Sequence, residues 1–246
     1  MVEETATLPE LTREAIAAVN EAARFCYLVR DADLQQEQVD CLLRVKDRVK
    51  GFKYGAVAAG HEGTANKLFQ LQCRLNAQRL FLRMWLALKR NEPFQAWDEL
   101  VEAQEYVAMA LRAAVDDIQL EEFLEQLQRA EAVIFPGFAY YQSWSVLMRG
   151  GTCTVCGRPF ADCDHIEGRV YLGRMCVRVN PDLISCDHIA LVKDPRDRRC
   201  VITEIEVDGR VRDYMTWRVV REVAQPAEGV ATYTACLFSN RLPEVD

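Results

Sequence analysis

The chain has 246 residues, half of them apolar, with a formal net charge of −7. That length supports one large domain or two small ones, each with its own core. No apolar run approaches the roughly 18 residues of a membrane span, and the opening Met-Val-Glu-Glu-Thr-Ala has neither the basic start nor the apolar stretch of an export signal. The expectation is a cytoplasmic protein, with no membrane among its partners and with reduced thiols.

Composition changes near residue 150. Before it the chain favours Ala, Leu, Gln, Glu and Arg and uses almost no Pro, which is helical usage. After it Val, Ile, Thr, Tyr, Cys, Pro and Gly take over, which suits strands and turns. The expected fold class is therefore α+β. A helical bundle domain would occupy residues 1–149, and a small antiparallel β module residues 150–246, with Arg149-Gly150-Gly151 at the change.

Five helices are expected in the first part, over 10–30, 34–51, 64–90, 94–114 and 117–133. Thr64 is a candidate N-cap. Behind it Leu68, Leu71, Leu75, Leu82 and Trp85 recur at three- and four-residue spacing, the stripe of a core-facing helix. Pro93 suits a first helical turn, where a missing N–H costs nothing. Phe135-Pro136-Gly137 ends the helical region. The aromatic residues Phe138, Tyr140, Tyr141 and Trp144 are expected to join the helical domain to the β module.

Charge is polarised along these helices. Residues 41–91 carry eleven Lys or Arg against two acids, whereas 92–136 carry eleven acids against two Arg. Antiparallel neighbours with complementary polar faces would account for this. The alternative is a basic face, including Arg44, Lys46, Arg48, Lys50 and Lys53, left free for nucleic acid or an acidic protein.

The densest chemistry follows. Cys153, Cys156, Cys163, His165 and Cys176 place five thiolate or imidazole donors within a short stretch. Zinc takes such donors in a tetrahedron, and a C-x2-C pair folds into a knuckle whose sulfurs converge on one ion. Gly157 suits the backbone shape that ends the knuckle. In an extended segment Cys163 and His165, two apart, face the same way and complete a Cys3His set. Cys176 either replaces Cys163 or packs behind the site as a small buried residue. The reading is one structural zinc, with which four of the five bind it left open.

Further on, Cys200–Val207 alternates, Asp208-Gly209 is a two-residue hairpin signal, and Arg210–Val220 reads as the second strand. Other strands are expected over Ile189–Val192 and Val230–Phe238. His61 reads as a polar loop residue and His188 as a core histidine at the start of a strand. There is no phosphate-binding loop, nucleophile elbow, H-E-x-x-H or dinucleotide fingerprint.

Cys163-Asp-His165-Ile recurs as Cys186-Asp-His188-Ile. Following a knuckle, Asp164-His165-Ile166 resembles the catalytic strand of HNH endonucleases, in which a His is the general base and a metal holds the scissile phosphate. That family carries a second C-x2-C pair and a further His, whereas Cys186 has no partner at that spacing. The fuller pattern adds Gly168, Tyr171, Gly173 and Cys176 to the knuckle and ends at Pro195. It resembles a motif of poorly characterised bacterial and phage-linked proteins, and implies a compact zinc module appended to varied partners. The chain is also similar to an accessory protein of a bacterial defence locus, of the kind encoded beside a type III CRISPR-associated protease and a sigma factor. That resemblance implies protein partners such as the sigma factor or a protease substrate. Together these readings point to a non-enzymatic zinc-containing adaptor with no catalytic residues; a metal-dependent nuclease or nucleic-acid binder is the alternative.

Overall fold

A computed structural model describes residues 7–113, 117–223 and 233–235. Its described part is α+β. Five helices come first: α1 (Leu8–Ala23), α2 (Ala32–Ala58), α3 (Glu62–Lys89), α4 (Pro93–Ala113) and α5 (Ile118–Ile134). Short antiparallel strands follow: β1 (Tyr141–Arg149), β2 (Thr152–Cys153), β3 (Val170–Tyr171), β4 (Arg174–Met175), β5 (Arg178–Val179), β6 (Asp182–Val192), β7 (Ile202–Val207), β8 (Arg210–Asp213), β9 (Val219–Glu222) and β10 (Tyr233–Ala235).

Two helix boundaries move from the expected ones, for local reasons. α1 stops at Ala23 because the chain must restart at Asp31, whose carboxylate caps α2 by accepting from the Asp33 and Leu34 amides at 2.9 and 3.1 Å. Gln35 holds the intervening turn, its Nε2 donating to the Phe25 and Tyr27 carbonyls. α2 runs on through Gly51 and Gly55, because Val49, Lys53 and Ala56 continue its buried face beyond them. It ends in a Schellman motif at Gly60, φ 69°, where His61 N–H reaches the Ala56 carbonyl and Gly60 N–H that of Val57. This turn hands the chain directly to α3, so His61 takes the N-cap position and Thr64 falls inside the first turn.

α3 is buried over much of its circumference, with Leu68, Leu75 and Leu82 in the core and Leu71 and Trp85 half-buried. It packs between α2 and α4 and also touches α1. The charge reversal between α3 and α4 is partly used in packing: Arg83 donates to buried Glu99 at 2.6 Å. Lys46 and Lys53 are buried in α2, while Arg44 is exposed and Arg48 pairs with Glu14 of α1. The basic segment is therefore not one continuous outward face. No helix among the described residues is long and apolar enough to cross a membrane.

The chain divides into two compact units, and their membership crosses the expected boundary at 149/150. Of the described residues, one unit contains the helices as far as Ala130 together with Gly150–Pro181; the other contains Glu131–Arg149 and residues 182–223 and 233–235. In the second unit β1 and β6 form an antiparallel ribbon, and β10, β7, β8 and β9 form a four-stranded sheet in that order. β6 is longer than the expected strand, and β1 occupies part of the aromatic stretch. Phe138 stacks on Tyr214 at 5.5 Å and lies 5.8 Å from Tyr141, so these rings serve the sheet unit, whereas Trp144 is exposed on the ribbon.

The Asp208-Gly209 hairpin is present, with both residues at positive φ, 51° and 70°. Its second strand is shorter than expected. At Asp213 the carboxylate accepts from the amide and hydroxyl of Thr216, Trp217 turns to φ 60°, and the chain returns as β9. Of the strand expected over 230–238, β10 covers Tyr233–Ala235; the remainder, including Cys236, lies outside the described residues.

Candidate metal centre

The segment Gly150–Pro181 lies in sequence between the two strands of the ribbon, and its own two-residue pair, β2 with β5, closes its neck. Within it Cys153 ends β2 and starts the knuckle. Gly157 N–H donates to the Cys153 carbonyl at 2.8 Å, and Gly157 takes φ 69°, as a knuckle-closing glycine should. Val155 N–H points at the Cys153 sulfur, 3.4 Å away. Cys163 follows a short 3-10 turn, Phe160–Asp162, in extended conformation (φ −106°, ψ 132°), and this brings His165 Nδ1 to 3.2 Å from its sulfur.

The donor atoms of Cys153, Cys156, Cys163 and His165 all lie within 4.8 Å of one another. Individual separations are 3.5 Å from Cys156 to Cys163 and 3.9 Å from Cys153 to His165. A tetrahedral ion with metal–sulfur bonds of about 2.3 Å needs donor–donor edges of about 3.8 Å. These four side chains therefore fit a soft or borderline metal ion with all four positions filled. Cys176 Sγ is 3.7 Å from Cys153 Sγ, but the residue lies outside the mutually close set and is fully buried.

The thiols differ in acidity. Burial raises Cys153, but the amides of Cys156 and Val155 and the neighbouring thiols outweigh it, and the group falls to about 7. Cys156 is lowered chiefly by the Arg158 amide. Burial pushes Cys163 up to about 11 and Cys176 up to about 12, with Cys153 adding to both.

Several supporting residues carry no spacing signal. Arg158 lies beside the Cys156 sulfur and pairs with Asp164 at 3.5 Å. Thr154 Oγ1 donates to the Met175 carbonyl at 2.6 Å and accepts from Val177 N–H at 2.9 Å, tying the knuckle to the segment around Cys176, between β4 and β5. Two members of the longer motif do have visible roles. Tyr171 sets its ring edge-on to His165, 4.6 Å between centroids, and its hydroxyl accepts from Ile166 N–H. Leu172-Gly173 forms the tip of the β3–β4 hairpin, both at positive φ, and Gly173 N–H donates to Asn66 Oδ1 of α3 at 2.7 Å.

The second Cys-Asp-His triplet has a different fate. Cys186 and His188 are exposed on β6, with His188 Nδ1 3.0 Å from Asp187, and neither joins the cluster. Cys26 and Cys73 are isolated buried thiols of the bundle, both raised by burial. No family model, curated protein or solved structure matches the chain.

Proposed function

We propose that the chain is a non-enzymatic accessory protein of the cytoplasm, in which one structural zinc ion held by Cys153, Cys156, Cys163 and His165 fixes the 150–181 segment for assembly with protein partners. The observation that carries the zinc reading is the closed donor set: four side chains within 4.8 Å of one another leave no open position for water or substrate, the arrangement of structural rather than catalytic zinc. His165 Nδ1 faces the sulfurs of Cys153 and Cys163, the placement of a fellow ligand to one ion. The adaptor role rests on the sequence, in which no phosphate-binding loop, nucleophile elbow or H-E-x-x-H accompanies the metal ligands. Its setting beside a type III CRISPR-associated protease, with a sigma factor or protease substrate as partner, rests on the motif resemblance alone.

The test is metal content with thermal melts of the full chain. One zinc per chain is expected in the wild type and in Cys176→Ser, with loss in Cys153→Ser and a lowered melting temperature in His165→Ala. Exchange of the ion for magnesium or manganese without loss of fold would overturn the structural reading. So would salt-sensitive nucleic-acid cleavage that His165→Ala abolishes while leaving the fold intact.

A further inference from the structure

The register of the β1–β6 ribbon sorts its side chains into two unlike faces. β1 is regular, and the irregularities opposite Ser145/Val146 and Leu147/Met148 put the extra residues, Asp187 and Ile184, into β6. Paired residues share a face, and so do alternate residues along a strand. Beyond Gln142 one face therefore presents Trp144 with Ile189, Val146 with Cys186, Met148 with Leu183, and Leu191, and none of these residues is charged; the two extra residues, Asp187 and Ile184, have no partner in the register. The other face carries Ser143, Ser145, His188, Ser185 and the Arg149/Asp182 pair, interrupted by Ala190 and Leu147.

The apolar face is open. Trp144 is 38% exposed, Leu191 42%, Ile189 51% and Leu183 66%. Side chains of this size leave a patch of roughly 500 Å², the scale at which the largest patch on a monomer marks an interaction site. A two-stranded ribbon is marginal in water without further strands or a covering element. Its occupant must then be at hand whenever the chain is folded.

We propose that the occupant is a second copy of this chain, with the two ribbons packed apolar face to apolar face about a two-fold axis. A copy of the same chain is present at fixed stoichiometry. The paired residues of the face bear no charge, so a symmetric contact sets none of them against a like charge even though the chain carries −7. Two such faces bury about 1,000 Å², the lower bound for a specific interface, so the dimer is concentration-dependent. The stripe is also self-complementary in size. Small Val146 and Cys186 lie at its middle, and an antiparallel two-fold there seats the Trp144 end of one ribbon on the Leu183 end of the other. This assembly is independent of the metal reading, because no metal donor lies on the face.

Light scattering coupled to size exclusion, on the full chain over a wide concentration range, tests it. A particle of twice the 28.1 kDa chain mass is expected at high concentration. Ile189→Lys should shift it to single-chain mass with an unchanged far-UV spectrum, whereas Ser143→Lys, on the opposite face, should leave the dimer intact. Wild type at single-chain mass throughout overturns the proposal, whatever the variants do. So does a dimer that survives a folded Ile189→Lys or its milder companion Leu191→Ser.

Discussion

A thiol whose ionisation value lies above the solution pH must give up its proton to bind a metal ion, and one whose value lies below need not. Near pH 8 Cys153, lowered to about 7, is already largely a thiolate, whereas Cys163, raised to about 11, is a thiol. Zinc uptake at that pH should release at least about one proton per chain, the largest share from Cys163. Below pH 7 Cys153 is protonated as well, so the loss of affinity should steepen from about tenfold per pH unit to about a hundredfold or more. An indicator dye in weak buffer, read during a zinc titration, checks this. Cys163→Ser should remove most of the release, and an unchanged release in that variant would take Cys163 out of the ligand set. Spacing made these donors readable, because an extended Cys-x-His presents both side chains to one side. The same spacing is silent at Cys186-Asp187-His188, where the extra residue Asp187 sends Cys186 and His188 to opposite faces of the ribbon. A bulge depends on the partner strand, and no tetrapeptide contains that information.

At the scale of elements, the five helices could be read because their apolar spacing and punctuation agree. The exceptions were the points where a turn is fixed by distant groups, such as Gln35 holding the 25–30 segment. Sequence also could not show what the β3–β4 hairpin rests on, since Asn66 and Gly173 are brought together only by the fold. A Cβ on Gly173 would lie 2.9 Å from the Ala65 carbonyl and 3.1 Å from the Lys53 side chain, on a residue already at φ 69°. Gly173→Ala should therefore cost about 1–3 kcal/mol. Asn66→Ala, which leaves the Gly173 N–H without this acceptor, should cost about 1 kcal/mol. The two substitutions remove one contact, so their costs in chemical denaturation should be less than additive. Full additivity would mean that the hairpin tip does not depend on Asn66.

The whole molecule places its candidate metal centre inside the connection between β1 and β6, so the ion and the ribbon are coupled through chain connectivity even though they belong to different compact units. With β2 and β5 paired, only Gly150-Gly151 and Asn180-Pro181 lie between that neck and the ribbon strands. Cys153 is itself in β2, and a two-residue pair does not survive alone. Loss of the metal would then return the full Gly150–Pro181 span to loop. Each doubling of loop length costs about 0.6 kcal/mol, and this lengthening is roughly eightfold, so the ribbon should lose about 2 kcal/mol. Hydrogen exchange before and after chelation reads the effect directly. Amides of β1 and β6 should exchange about 30-fold faster, the rate equivalent of that free energy where reclosing is faster than chemical exchange. Amides of α3, whose hydrogen bonds and buried contacts lie within the bundle, should stay near their original rates. Unchanged protection in β6 after complete metal removal would show that the helices hold the connection closed without the ion, through contacts such as Asn66 to Gly173.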